Sequence, residues 1–271
     1  MPRYAMLAGN GRFPFLALEA ARQSGLDLVT IGIKEEASPD LERLAAKMYW
    51  ISLGQLSKLI DILKGEGVAE MMMCGQVKHV KIFSAIRPDW RLAKLLMSLR
   101  EKNTDALIFG VVKILEDEGI RLVESTLLLR GLLAGEGVLT RRKPEDDELR
   151  DIGYGRRIAN ALAGFDIGQS VAVADRACVA VEAMEGTDAM LRRAASLVNG
   201  RPLRLVKVSK RRKHLLFDVP VAGPETIRVM REVGATAMAV DAGRTLFLDR
   251  DELFAQANAA GVAIIGYKPE E

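Results

Sequence analysis

The chain lacks several features that would assign it to a common class. It has 2 cysteines, and Cys74 and Cys178 do not have CxxC spacing, so a disulfide framework is excluded and a reducing compartment is expected. No apolar run approaches the ~18 residues of a membrane span, and the opening residues, MPRYAMLAGNGRF, lack the apolar core of a signal peptide. We therefore expect a cytosolic protein, and contact with a membrane surface stays open.

The chain also lacks a large net charge of either sign. The formal net charge is +3, which does not by itself suggest a nucleic-acid partner. The basic residues do gather in one run, Ser-Lys-Arg-Arg-Lys-His at 209–214, but no stacking aromatic residues are interleaved with them. No nucleic-acid partner is therefore expected. The run, which contains Lys210, fits either an anion-binding loop or a solvated hairpin tip.

The length of 271 residues predicts two domains, each able to bury a core. Composition changes at TRRKPEDDELRD, which predicts a Rossmann-like N-terminal domain over 1–138, a linker over 139–150 and a C-terminal α/β domain over 151–271. In the first domain, short apolar runs alternate with helical spacing, as in βαβ units around a parallel sheet. The predicted strands are YAMLA, DLVTIGI, MYWIS, EMMMCG and RLVES, and the predicted helices are 15–24, 41–47, 56–65, 92–100 and 106–118.

A glycine-rich turn follows the first predicted strand directly. Gly9 and Gly11 let the backbone turn sharply and approach a ligand, and Pro14 suits the first turn of a helix whose free N–H groups could face a phosphate. Pro14 stands where the third glycine of a GxGxxG fingerprint would be, so the dinucleotide motif is incomplete. The segment fits either a nucleotide-binding turn, with Asn10 between the glycines, or a tight turn without a ligand.

The segment 168–193 combines two strand patterns, three carboxylates and the start of a helix. The strands are predicted to meet at a tight turn at Asp175-Arg176. Thr187 is predicted to cap the following helix, and Asp188 in its first turn is favoured by the helix dipole. Glu182 ends an otherwise apolar strand, where a carboxylate is costly to bury without a partner.

A further acid, Asp218, follows the basic run. It lies between an aromatic residue and a Val-Pro pair, and an acid beside a basic loop would keep a low pKa and could hold a metal or orient water. Helix and strand patterns then alternate to the end of the chain, which predicts a second α/β domain.

Taken together, these motifs resemble one family, the LpxI-type UDP-2,3-diacylglucosamine pyrophosphatases of Gram-negative lipid A synthesis, over essentially the full length. The segments that carry the resemblance are LAGNGRFP (7–14), LGQLSKLI (53–60), GQ-V (75–77), EGVLT (136–140), GQSVAV (168–173), AVEAMEGTDAML (180–191) and FDVPVAGPETI (217–227). The AVEAMEGTDAM and FDVP pair is the most specific. The resemblance implies a Rossmann-like domain and a distinct C-terminal α/β domain with the active site between them.

The resemblance also implies a reaction and its residues. The reaction is Mg²⁺-assisted hydrolysis of UDP-2,3-diacylglucosamine to UMP and lipid X, with Asp218 as the catalytic residue. Candidate metal ligands or water-orienting groups are Asp218, Glu182, Glu185 and Asp188, since one or two carboxylates can hold Mg²⁺ against phosphate. Candidate substrate-binding residues are Gly9, Asn10, Gly11, Gly75, Gln76, Gln169, Thr187, Lys207 and Lys210. Such a protein would be cytoplasmic and peripheral on the inner membrane. The resemblance leaves open whether it forms a homodimer.

One departure from the family pattern leaves alternatives open. The family carries Lys-Pro-x-Gln-Asp-x-Arg-Phe-Asp, whereas residues 210–218 here read KRRKHLLFD, with Lys213 and His214 in place of the Gln-Asp pair. The alternative that this protein is a paralogue that binds a UDP-sugar lipid without turnover therefore stays open. A nicotinamide-dependent Rossmann oxidoreductase ranks below it because the glycine pattern is incomplete.

Overall fold

A computed structural model describes residues 3–77, 87–99, 104–165, 167–210, 216 and 219–270. The chain divides into two compact units, Met1–Leu129 and Arg130–Glu271, and each is described by itself. Across the described ranges, no helix combines the length and the apolar character needed to cross a membrane.

The N-terminal unit contains a five-stranded parallel sheet of order β3-β2-β1-β4-β5. Its strands are β1 (Tyr4–Ala8), β2 (Leu28–Ile33), β3 (Lys47–Ile51), β4 (Glu70–Cys74) and β5 (Arg121–Leu122). Every residue of β2 is buried, as expected of a strand covered on both faces. This strand order is that of Rossmann-type sheets and confirms the predicted fold class.

Helices connect these strands. They are α1 (Phe13–Gln23), α2 (Leu56–Gly65), α3 (Trp90–Ser98) and α4 (Thr104–Asp117). The helix predicted over 41–47 is wrong, because the chain forms a 3₁₀ helix at Pro39–Arg43 and Lys47 already begins β3. Pro39 starts that short helix and Ser38 accepts a hydrogen bond from Asp40 N, so the turn is set two residues earlier than the apolar spacing indicates.

The C-terminal unit contains a mixed six-stranded sheet of order β6-β13-β11-β9-β7-β8 and a two-stranded sheet, β10-β12. The strands are β6 (Gly137–Val138), β7 (Ser170–Ala174), β8 (Ala177–Val181), β9 (Leu203–Lys207), β10 (Val221–Ala222), β11 (Ala235–Asp241), β12 (Leu246–Phe247) and β13 (Ala263–Tyr267). The helices are α5 (Asp146–Gly164), α6 (Thr187–Leu197), α7 (Pro224–Glu232) and α8 (Arg250–Ala259). The second α/β domain is confirmed.

Both faces of the six-stranded sheet are packed. Ala172 and Leu205 lie in a core with residues of α6, α7 and α8, whereas their neighbours Val171 and Val206 lie in a second core with residues of α5. Alternate residues of a strand point to opposite faces, so helices on both faces bury the whole centre of the sheet.

The residues of the predicted linker, 139–150, belong to the C-terminal unit. Leu139 N donates to Ile264 O at 2.9 Å, and Arg142 donates two hydrogen bonds of 2.8 Å to the buried Glu148 carboxylate. The charged composition at this segment thus reflects internal ion pairing as well as solvent exposure.

Candidate functional site

Three strand ends meet at one edge of the C-terminal sheet. β7 is antiparallel to both β8 and β9, so its first residue lies beside the last residues of its neighbours. Ser170 is the register partner of Lys207, and Glu182, directly after β8, donates its backbone N–H to Ser170 O at 2.9 Å. This arrangement places a hydroxyl, an ammonium and a carboxylate together.

The Lys207 ammonium is held by hydroxyl groups. Its Nζ donates to Thr187 Oγ1 at 2.8 Å and to Ser170 Oγ at 3.2 Å, and lies 4.0 Å from Glu182 Oε2. Only 9% of the Lys207 side chain is exposed. A charge removed from water to this degree requires polar partners, and these residues supply them.

Glu182 completes the group, with 12% of its side chain exposed. Its Oε1 accepts a hydrogen bond of 2.8 Å from the Thr187 hydroxyl, while its Oε2 is buried and has no hydrogen-bond partner within the described part of the chain. We call Ser170, Glu182, Thr187 and Lys207 the lysine cluster. The Thr187 hydroxyl accepts from Lys207 and donates to Glu182, which fixes the direction of its proton.

The predicted capping role of Thr187 is wrong. The N-cap of α6 is Gly186, with φ +84°, and no side-chain hydrogen bond caps this end. Thr187 is instead the first helical residue, and its hydroxyl serves the lysine cluster. Because a glycine takes the positive φ between β8 and α6, the chain can turn sharply enough to bring Thr187 back to Glu182.

Asp188 is half-buried in the first turn of α6. Burial raises its pKa, and repulsion from Glu225 and Glu182 acts in the same direction, against attraction by Lys207 and Arg192. The net direction is opposite to the one that the helix dipole alone would give. Two carboxylates, Glu182 and Asp188, therefore lie close enough to repel each other beside one lysine.

Glu185 lies apart from this group. Its carboxylate accepts from Arg193 Nη2 at 2.5 Å and from Ala183 N at 3.1 Å. The hydrogen bond from Arg193 is the main cause that lowers the pKa of Glu185. The structure thus brings Glu182, Thr187, Asp188 and Lys207 together, whereas Glu185 forms an ion pair with Arg193.

A second polar group at the carboxyl ends of β9 and β11 escaped the sequence analysis. Asp241 is 1% exposed, and its Oδ2 accepts from Ser209 N at 2.8 Å and Ser209 Oγ at 3.0 Å. Its Oδ1 accepts from Arg156 Nη1 at 3.2 Å. The signal was present, because Asp241 ends an apolar strand just as Glu182 does. This group fixes the chain at Ser209, where the basic run begins.

The glycines of the N-terminal unit meet at the carboxyl ends of β1 and β4. Asn10 and Gln76 exchange backbone hydrogen bonds of 2.8 and 3.0 Å, and a Cβ on Gly9 would lie 2.6 Å from Gln76 O. Gly11 and Gly75 have φ of +97° and +93°. We call Gly9–Gly11 together with Gly75 and Gln76 the glycine turn. It lies where strand order reverses, the usual ligand position of open α/β sheets.

The remaining predicted residues have separate placements. Gln169 precedes β7 and accepts a hydrogen bond from Val208 N at 2.8 Å through its backbone oxygen. Lys210 is half-buried after β9, and its carbonyl lies 3.5 Å from Arg244 Nη1. Asp218, Lys213 and His214 lie outside the described residues.

The described residues offer two carboxylates that fit a magnesium ion shared with substrate phosphates. They contain no group of three His, Cys, Asp or Glu side chains placed to hold a metal. Mg²⁺, however, is usually bound by one or two carboxylates together with substrate phosphates and water. Glu182 offers a buried oxygen that makes no hydrogen bond to a described residue, and Asp188 is the nearby second acid.

The fold and these two polar regions define a two-domain α/β protein with a Rossmann-type N-terminal unit. Residues 3–132 match the LpxI N-terminal domain and residues 135–265 match the LpxI C-terminal domain. The chain belongs to the LpxI family. It is 30% identical over 281 residues to the UDP-2,3-diacylglucosamine pyrophosphatase LpxI of Caulobacter vibrioides, covering 100% of this chain and 99% of that protein.

Solved structures show only distant likeness. The precorrin-6A reductase CobK has a TM-score of 0.32 at 12% identity and covers 100% of this chain and 89% of its own. The biotin carboxylase domain of 2-oxoglutarate carboxylase from Hydrogenobacter thermophilus has a TM-score of 0.29 at 14% identity, over 72% of this chain and 41% of that one. Likeness at this level supports no functional conclusion.

Proposed function

We propose that this protein hydrolyses the pyrophosphate of UDP-2,3-diacylglucosamine to UMP and lipid X, with Mg²⁺ bound by acidic side chains and the substrate phosphates. The observation that carries the proposal is the lysine cluster, a buried ammonium and a carboxylate with one available oxygen, in a chain of the LpxI family. We further propose that the protein acts in the cytoplasm, peripherally on the inner membrane.

Pyrophosphate hydrolysis requires charge neutralisation and a positioned water. The oxygen of water forms a bond to one phosphorus and releases a proton to solvent, while the bridging P–O bond breaks and the bridging oxygen leaves with the other phosphate. Mg²⁺ would supply neutralisation of the phosphate oxygens. Lys207 would bind a phosphate oxygen as a nearly buried cation, where its charge is little screened by water.

The acids divide into roles by their contacts. Glu182 Oε2 is proposed to orient water or to bind the cation, since Oε1 accepts from Thr187 while Oε2, 4.0 Å from Lys207 Nζ, makes no hydrogen bond to a described residue. Asp188 is the second acid. Burial, and then the Glu225 and Glu182 carboxylates, raise its pKa, so a bound cation would stabilise its ionised form. Asp218 is assigned to catalysis by the family resemblance. Glu185, paired with Arg193, is left out of the acid set.

The glycine turn is proposed to bind the uridine nucleotide. Gly9 and Gly75 let the two strand ends approach each other so closely that a side chain at either position would collide. The N–H groups of Gly9, Asn10 and Gln76 already donate to backbone oxygens, so the start of α1, which has no side-chain cap, is the proposed source of donors. Such backbone donors suit a phosphate oxygen.

Incubation of the purified protein with UDP-2,3-diacylglucosamine and Mg²⁺ tests the proposal, with UMP release as the measurement. We expect release by the native protein and its loss in Asp218→Ala, with Glu185→Gln as a charge-matched control that keeps activity. Substrate binding without UMP release by the native protein would overturn the proposal in favour of a paralogue that binds without turnover. Nicotinamide bound to the purified protein would instead favour an oxidoreductase.

A further inference from the structure

Helix α3 of the N-terminal unit exposes two large apolar side chains on one face. Trp90 is 68% exposed and Met97 is 81% exposed, and Lys94, also exposed, lies between them. The spacing i, i+4, i+7 places all three on one stripe of the helix. Large apolar side chains that are grouped in this way mark an interaction surface more often than single exposed residues do.

The opposite face of α3 is firmly packed, so this exposure is a property of a docked helix. Leu92 is buried, and the Leu95 side chain fills the space above Gly110 of α4, where a Cβ would collide with it. The start of the helix is fixed by Asp89, whose carboxylate accepts from Leu92 N at 3.0 Å and from Ser57 N at 2.5 Å. The stripe therefore faces outward in a fixed direction.

Charge around the stripe favours an anionic partner. Residues 87–99 contain three basic residues, Arg87, Arg91 and Lys94, and one acidic residue, Asp89, whose carboxylate is occupied by backbone N–H groups. Arg91 is paired with Glu118, so Arg87 and Lys94 carry the excess positive charge. The Arg91 guanidinium lies 5.2 Å from the centre of the Trp90 ring. Tryptophan flanked by basic residues is the composition of helices that lie at a bilayer surface, with the ring at headgroup depth.

We propose that the stripe formed by Trp90, Lys94 and Met97 is the surface that docks this protein on an anionic lipid bilayer. The inference rests on the proposed function, because a substrate with two acyl chains resides in a bilayer. Trp90 and Met97 enter the interface, and Lys94 pairs with lipid phosphate.

The chain offers a direct optical test, since it has 2 tryptophans, Trp50 and Trp90. In Trp50→Phe protein, Trp90 is the remaining fluorophore. We expect vesicles of phosphatidylglycerol with brominated acyl chains to quench its emission and shift it to the blue. In Trp90→Phe protein, Trp50 is the matched reporter and should show neither change. Unaltered Trp90 emission on vesicles that bind the protein overturns the proposal.

Vesicle co-sedimentation without substrate gives a second measurement on otherwise native protein. We expect Trp90→Ala to weaken partitioning about tenfold and Lys94→Gln to weaken it about fivefold on phosphatidylglycerol vesicles. Leu197→Ala removes an apolar side chain of α6 that is 57% exposed, and it should leave partitioning unchanged. Equal losses in Leu197→Ala and Trp90→Ala overturn the proposal, as does Trp90-dependent self-association in sedimentation.

Failure of this inference and failure of the proposed function are distinguishable. UMP release from substrate in detergent micelles tests the reaction without a bilayer, and Trp90→Ala should retain it. Vesicle binding tests the surface without the reaction.

Discussion

The glycine turn and the lysine cluster both lie at the edge of a central sheet, yet the first is made of backbone groups and the second of side chains. In the glycine turn, backbone groups approach each other at distances that exclude a Cβ at Gly9. In the lysine cluster, side chains of Ser170 on β7, Glu182 directly after β8 and Thr187 on α6 surround one buried ammonium. The first region can offer fixed N–H dipoles, and the second can offer full charges and a defined proton direction.

Because of this difference, the two regions should tolerate different kinds of amino-acid substitution. A backbone site fails when a side chain intrudes, whereas a side-chain site fails when a charge is removed. Substitutions of each kind should therefore affect the two regions differently when stability and activity are measured separately.

The largest effect is expected at Lys207. Lys207→Met keeps the apolar stem and removes the charge, which leaves Glu182 nearly buried without a cation. We expect kcat for UMP release to fall about 100-fold and the free energy of unfolding to fall by about 3 kcal/mol. Urea unfolding and steady-state kinetics provide the two measurements.

A double variant separates the two roles of this lysine. In Lys207→Met with Glu182→Gln, both charges are gone, so stability should largely recover while activity stays low. Recovery of both would show that Lys207 acts only by stabilising the fold.

The second effect concerns the glycine turn. Gly9→Ala places a methyl group 2.6 Å from Gln76 O, so the Asn10–Gln76 backbone pairing must shift, at a cost of about 1–3 kcal/mol. Gly11→Ala is the matched control, because its Cβ meets nothing within 4 Å but the residue keeps φ at +97°, at a cost of about 1 kcal/mol. Urea midpoints and UMP affinity would be compared, and equal effects would contradict a close backbone approach at Gly9.

The sequence was sufficient for the parts of these regions that local patterns encode. Glycine at Gly9 and Gly11 predicted the turn after β1, and the tight turn at Asp175-Arg176 is confirmed, with φ of +50° and +56°. Both depend on neighbouring residues along the chain. Glu182 was singled out correctly as a carboxylate needing a partner, because it ends an apolar strand.

The partners themselves could not be read from the sequence. Thr187 looked like a helix cap because threonine before a helix usually is one, but its hydroxyl is taken by Lys207 and Glu182, which strand pairing brings near. Asp241 ends an apolar strand as Glu182 does, but its partner Arg156 is distant in sequence, so the pairing is not visible in the sequence. The roles of Asp218 and Mg²⁺ remain proposals from resemblance.

A pH-dependent effect is expected at Asp188. Burial raises the pKa of Asp188, so its ionised form destabilises the fold. This penalty is absent below the unfolded pKa and grows as pH rises through the folded pKa. Asp188→Asn should therefore be more stable than the native protein near neutral pH and equal to it in acid, as urea midpoints between about pH 4 and 8 would show. A stability gain that persists unchanged in acid would contradict the assignment.

The same substitution links Asp188 to the proposed site. If Asp188 binds Mg²⁺ with Glu182, the Asn variant should gain stability and require more Mg²⁺ for half-maximal UMP release. Glu225→Gln is a suitable control, because it removes a neighbour that also raises the pKa of Asp188 without removing the acid itself. That variant should leave the Mg²⁺ requirement unchanged.

The smallest effect is expected at Glu185, which the sequence placed with Glu182 and Asp188 by spacing. Its carboxylate pairs with Arg193, and both side chains are partly exposed, with 33% and 48% of their surfaces in solvent, so the pair contributes less than about 1 kcal/mol. Glu185→Gln should keep UMP release within about twofold and leave the Mg²⁺ requirement unaltered, because the amide still accepts from Ala183 N. Glu182→Gln is the matched comparison, with the same chemical change inside the lysine cluster. A loss at Glu185 as large as that at Glu182 would return Glu185 to the metal-binding set.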